Sequence, residues 1–148
     1  MKKILSLVMV IVLALCLGGC GQDTIPKADY SFSAQDFMRD CLLNHGKDLY
    51  DIMKEANKIY KNKRIEINGE IMLKSKERDF QIVLGFRQVE KINFVLRVSV
   101  RDKNILDKLK EEDFIKMSCL FDRIALQEEK DEIFVYFDFY DGVLISKL

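Results

Sequence analysis

RIEINGEIML, residues 64–73, decides the fold. Ile65, Ile67, Ile71 and Leu73 fall on one side and Glu66, Asn68, Glu70 and Met72 on the other, with Gly69 in the middle of the inward set. A period of two is the signature of a strand with one buried face, and a glycine inside it marks a bend. The same rhythm runs on downstream. Phe80, Ile82, Leu84 and Phe86 form a second inward set, Phe94, Leu96, Val98 and Val100 a third, Ile115, Met117, Cys119 and Phe121 a fourth, and Ile133, Val135, Phe137 and Phe139 a fifth. Polar turns at Lys74–Asp79 and Gln88–Lys91, a short helical turn over Asn104–Glu112 and a charged tip at Glu128–Glu132 separate them; Val143–Ile145 continues or doubles back after Asp141-Gly142. A flat sheet of five such strands would leave edges and one apolar face in water, so the expectation is a small closed or nearly closed barrel.

Upstream of Lys63 the period is helical. Ala34, Phe37, Met38, Cys41 and Leu42, then Leu49, Ile52, Met53, Ala56, Ile59 and Tyr60, recur at three- and four-residue spacing. Ser33 with Asp36 is a helix-start signal, in which side-chain oxygens take up free backbone donors of the first turn. Gly46 interrupts the pattern, which predicts one long helix with a weak point or two helices meeting near residues 44–47.

The N-terminus reads MKKILSLVMVIVLALCLGGC, residues 1–20: a basic pair, an uncharged apolar run over 4–17 and small residues before a cysteine. This is the grammar of a secretory signal. Fourteen apolar residues rise about 21 Å as a helix against roughly 30 Å of hydrocarbon, too short to span comfortably. Leu17-Gly18-Gly19-Cys20 resembles the bacterial lipobox. That resemblance implies cleavage before Cys20 and a thioether-linked lipid with further acyl chains, palmitate among them. Each buried methylene adds about 0.8 kcal/mol to membrane retention, so several chains hold where one is marginal. The expected partner is thus a membrane, reached through a lipid anchor: the cell membrane, or the outer membrane where there is a second one. Residues 20–33, with the only proline, Pro26, read as the lipidated cysteine and its tether, and residues 34–148 as the domain.

The chain has 148 residues, enough for one ordinary domain, with 24 basic and 24 acidic side chains. Residues 1–19 hold only Lys2 and Lys3, so the part beyond them carries 22 basic against 24 acidic groups, two negative. Charge at 32% and hydrophobic residues at 49% describe a globular protein and exclude wholesale disorder. The balance disfavours a bulk polyanion binder.

Two stretches resemble a known family. ANKIYKNKRIEINGEI, residues 56–71, and LDKLKEEDFIKMSCLF, residues 106–121, are similar to the bacterial tRNA-anti-like group of OB-fold domains. That group pairs a helix ending in Tyr-Lys-x-Lys with a first strand carrying a glycine bulge, then a Leu-x-x-Leu-Lys turn before the fourth strand. The sequence departs at Glu112-Asp113, where a glycine before the aspartate is usual. The resemblance implies an α+β, mainly β fold, a five-stranded OB-like barrel preceded by an N-terminal helix. It implies no activity, and the family name denotes homology to anticodon-binding folds rather than tRNA binding.

Each candidate site also has a plainer role. On a strict alternation Gln81, Val83, Gly85 and Arg87 face outward on the second strand and Val95, Arg97, Ser99 and Arg101 on the third. Arg87, Arg97 and Arg101 then share one surface, solvated or paired with carboxylates, or forming a weak site for a small anion or acidic partner. No ring lies among them for a base to stack on, which speaks against oligonucleotide binding. The fifth strand sets Phe134, Tyr136 and Tyr140 outward with Asp138, three rings that something should cover. The plain cover is the N-terminal helix; the functional one is an envelope protein or the wall of a small-ligand groove. His45, the only histidine, sits beside the helix break with no triad or zinc pattern. Glu66 and Glu70 lie roughly 13 Å apart along a strand, too far for paired glycosidase carboxylates. No phosphate loop, C-x-x-C or calcium-loop spacing occurs, so no catalytic residue, metal or cofactor is expected. Cys41 and Cys119 face inward on helix and strand, as buried thiols or as a disulfide worth about 4 kcal/mol in the loop-entropy model.

Overall fold

The computed structural model describes residues 24–44 and 48–148, with the side chains of Leu43 and Asn44 outside the description. The signal segment, Cys20, the first part of the tether, His45 and Gly46 lie outside the described residues. The described residues are mainly β with two α-helices. Strand β1 (Tyr30–Ser33) leads into α1 (Ala34–Asn44) and α2 (Leu49–Tyr60), followed by β2 (Arg64–Glu70), β3 (Leu73–Lys74), β4 (Ile82–Val89) and β5 (Ile92–Val100). A 3-10 turn (Lys103–Lys108), β6 (Phe114–Glu129) and β7 (Glu132–Lys147) complete it.

Both helix starts carry their local signals. The Ser33 hydroxyl accepts from Asp36 N at 3.0 Å and donates to the Asp36 carboxylate at 2.8 Å. Asp48 caps α2 by accepting from Asp51 N at 2.9 Å. Each removes an unpaired donor from the first turn, worth about 1 kcal/mol. The two helices are separate, the second of the two alternatives the spacing allowed.

The five-stranded closed barrel expected from the sequence is not what the pairing gives. Seven strands form one sheet in the order β1-β2-β6-β7-β5-β4-β3, and its ladder has two ends. Two short strands escaped the hydrophobic count. The chain read as tether through Ser33 becomes β1 from Tyr30, paired parallel to β2 with Tyr30 opposite Ile65. It is fastened one residue earlier, where Asp29 N donates to Arg64 O at 2.7 Å and the Asp29 carboxylate accepts from Arg64 N at 2.9 Å. At the other end β3 pairs only two residues of β4.

The sheet curls strongly nonetheless. β2 and β4 have three strands between them in the order, yet a Cβ built on Gly69 would lie 2.7 Å from Leu84 O. Only glycine lets the β2 backbone come that close. The inner surface is filled by α1 and α2. Phe37 on α1 packs edge-on against Tyr60, Phe137 and Phe139, with ring centroids 5.1, 6.1 and 5.3 Å away, and Phe121 lies 5.8 Å away. Ile65, Ile67, Ile82, Leu96, Met117, Phe121, Phe137 and Phe139 are wholly buried, so these inward sets meet in one core. Cys41 and Cys119 lie in it as free thiols and do not form the bridge considered above. Burial pushes both thiols far up from their usual range, so each behaves as a small apolar side chain.

Candidate functional site

Alternation fails at one place on β4, and the site follows from it. The register between β4 and β5 runs Ile82 opposite Val98 and Val83 opposite Arg97, then shifts so that Gly85 faces Leu96 and Phe86 faces Val95. One residue, Leu84, is taken up in a bulge, which reverses the sidedness of everything after it. Gly85 turns inward, where a Cβ would meet Met38 Cε at 2.9 Å. Phe86, expected in the core, turns outward and is 43% exposed. Arg87 leaves that face and borders a separate cleft with Arg39, Leu42, Val89, Ile92 and Phe94. Gln81 is buried, its amide donating to the carbonyls of Arg78 and Asp79 while its oxygen accepts from Val100 N, so it braces the turn before β4.

The outward face of β4, β5 and β7 thereby becomes a groove of about 770 Å³. Its floor is Val83 and Val95; Phe80, Phe86, Phe134 and Tyr136 supply rings, Met72 and Leu73 close one side, and Glu77, Arg78, Asp79, Arg97 and Arg123 carry the charge. Two cross-strand rows organise it. Phe86, Val95 and Tyr136 are lateral neighbours on β4, β5 and β7, and Val83, Arg97 and Asp138 form the row beside them, which Arg123 of β6 extends.

Arg97 is the keystone. Its guanidinium lies over the Phe80 ring at 4.2 Å and over the Tyr136 ring at 3.8 Å. The Tyr136 ring in turn stacks on Phe134, centroids 5.9 Å apart and planes 14° from parallel. Below, Arg97 Nε and Nη2 donate to the Asp138 carboxylate at 2.5 and 3.2 Å, and Arg123 Nε approaches the same carboxylate at 3.5 Å. Asp138 is fully buried, so its charge is tolerable only because these guanidinium groups neutralise it. Burial pushes the Tyr136 hydroxyl up from its usual range, with the Arg97 charge pulling the other way.

The expected sites are thus redistributed. Arg87, Arg97 and Arg101 do not share a surface: Arg97 belongs to the groove, Arg87 to the separate cleft, and Arg101 clamps Asp141 at 2.6 and 2.8 Å. Asp141 also takes a bond from the buried Arg64, so Asp138 and Asp141 each sit in an arginine pair. Of the fifth-strand aromatics, Phe134 and Tyr136 line the groove while Tyr140 stands apart, its hydroxyl 3.4 Å from Asn62. The helices do not cover them; α1 packs on the inward rings of the same strand instead. Rings do accompany Arg97, contrary to strict alternation: Phe80 and Phe86 line the same groove. Gly85 was the signal that could have found them, since a glycine within a strand run marks a bulge.

Among the described residues no group of three or more His, Cys, Asp or Glu is placed to hold a metal, and no helix is long and apolar enough to cross a membrane. Compared with known proteins, the chain matches no family model and no curated sequence.

Proposed function

We propose that this chain is a membrane-tethered, non-enzymatic lipoprotein of a bacterial cell envelope, whose OB-like domain binds its ligand or partner in the Phe80–Phe86–Tyr136 groove. The OB-like reading is supported by the order of the five long strands, β2-β6-β7-β5-β4, with β5 and β7 parallel, and by the close approach of β2 to β4 at Gly69. In such domains the second and third strands and the loops beside them form the binding face. Here these are β4, β5 and the turn over residues 75–81, which border the groove. The tRNA-anti-like resemblance and the lipobox carry the remainder of the proposal.

The single observation that carries the binding role is the Arg97 stack. A guanidinium held between two rings and bonded to a buried carboxylate is a rigid surface built before any ligand arrives, which lowers the entropy cost of binding. A single-stranded nucleic acid is the weaker reading. Arg78, Arg97 and Arg123 are balanced by Glu77, Asp79 and Asp138, and the neighbouring β6–β7 tip adds Glu128, Glu129, Asp131 and Glu132 against Lys130. The anchor also keeps the domain close to the bilayer. With Asp29 fastened to Arg64, only residues 21–28 separate Cys20 from the folded edge, a reach of about 28 Å at full extension.

Site-specific photocrosslinking in intact cells tests this. A photoreactive residue at position 86 gives a discrete adduct, while one at position 50, where Tyr50 is 75% exposed on α2, does not. Equal labelling from both positions, or none from 86, rejects the groove as the binding face.

A further inference from the structure

We infer that the groove's occupant is an extended segment of a protein partner, which seats one apolar side chain, Leu, Met or Phe, over Val95 between Phe86 and Tyr136. This rests on the reading of the groove as the binding face. The register supplies the slot. Phe86, Val95 and Tyr136 occupy adjacent strands in one row, so the two rings stand two strand spacings apart, about 10 Å between backbones. Valine between them is short and 8% exposed, leaving a recess with aromatic walls and an aliphatic floor. An aromatic side chain, or an aliphatic one not branched at Cβ, fits that width, and the recess excludes water around it as the centre of a protein interface does.

Composition points to the same class of partner. Among the described residues, three arginines line the groove and no lysine does, alongside four rings and a methionine. Protein-binding patches are enriched in aromatic residues, Met and Arg and poor in Lys. The stacking geometry argues against sugars and bases at this slot. One face of Tyr136 is covered by Arg97 and its ring stacks on Phe134, so Tyr136 offers its edge and hydroxyl rather than a free flat face. The balanced charges around the recess suit a segment of low net charge.

The test uses the whole chain in detergent and a displayed library of linear 12-residue peptides. Selected peptides share one apolar residue, and replacing it with Ala weakens binding at least tenfold. Val95→Trp, which fills the recess, weakens binding by a similar factor. Phe86→Ser does the same and removes only an outward ring, so it serves where the tryptophan variant fails to fold. Selected peptides that bind both variants as well as the parent overturn the proposal. The Arg97 Nε–H resonance separates this failure from failure of the groove itself. If it shifts with a dodecathymidylate or an N-acetylglucosamine tetramer but not with peptides, the groove stands and the peptide occupant falls; if it shifts with none of them, both fall.

Discussion

Arg97 and Asp138, side by side on the parallel strands β5 and β7, form a two-pronged ion pair whose carboxylate has no exposure to solvent. The pair fixes the guanidinium between Phe80 and Tyr136, so the chemistry of the groove and the stability of the sheet are linked. Removing one member of such a pair strands the other's charge. Arg97→Met is therefore expected to cost about 3 kcal/mol in urea unfolding. The double variant Arg97→Met with Asp138→Leu should lose less than Arg97→Met alone, because no buried charge remains. Additive losses in the cycle would show that the two residues are not coupled.

Asp141 is an aspartate whose arginine pairing acid should undo. The Arg101 guanidinium holds the Asp141 carboxyl down at about 2, against partial burial that would raise it, with Arg64 adding to the effect. A carboxyl depressed in the folded state contributes stability that is present above its unfolded value near 4 and is lost as pH falls through about 2. The contribution is about 1–2 kcal/mol after solvent screening. Asp141→Asn should flatten the stability curve between pH 4 and 2 and leave its slope above pH 5 unchanged. Equal slopes in parent and variant below pH 4 would refute the assignment.

Gly69→Ala places a methyl carbon 2.7 Å from the Leu84 carbonyl oxygen, a backbone atom held in the sheet, and 3.3 Å from Ala34 Cβ. The backbone must shift, at a cost of about 1–3 kcal/mol. Thermal unfolding reads this directly, and an unchanged midpoint would mean that β2 and β4 do not approach at this point.

Cys41 and Cys119 are buried free thiols. Iodoacetamide should leave both unmodified in the native state and alkylate both in concentrated urea without reductant. A denatured chain that gains no label at these positions until it is reduced would reveal a bridge.

Cys20→Ala should move the protein from the membrane fraction to the soluble one, since it removes the thiol that would carry the proposed acyl chains. Continued membrane fractionation would reject the anchor.

The sequence made the helices legible because capping and periodicity agree: Ser33 with Asp36, and the apolar stripe through Phe37, Met38 and Cys41, leave little else for that segment to do. The inward sets Ile115 to Phe121 of β6 and Ile133 to Phe139 of β7 were equally plain, although the register between the two strands shifts at three places that alternation does not announce. The groove was not. A two-residue rhythm assigns faces only while it is unbroken, and the bulge at Leu84 exchanges Phe86 and Arg87 between faces without changing composition. The Arg97–Asp138 pair joins residues 41 apart through a parallel strand contact, which no local pattern announces. β1 was hidden for a simpler reason: YSFS is only four residues with two serines, and its place beside β2 is fixed by Asp29 holding the backbone of Arg64.

The central claim is that this slip turns Phe86 out to form one wall of a slot with Val95 and Tyr136. Nuclear Overhauser contacts of the Phe86 ring measure it most directly. The account predicts contacts from that ring to the Val95 methyls. Contacts to the Met38 and Leu96 methyls in their place would put Phe86 back in the core and dissolve the groove.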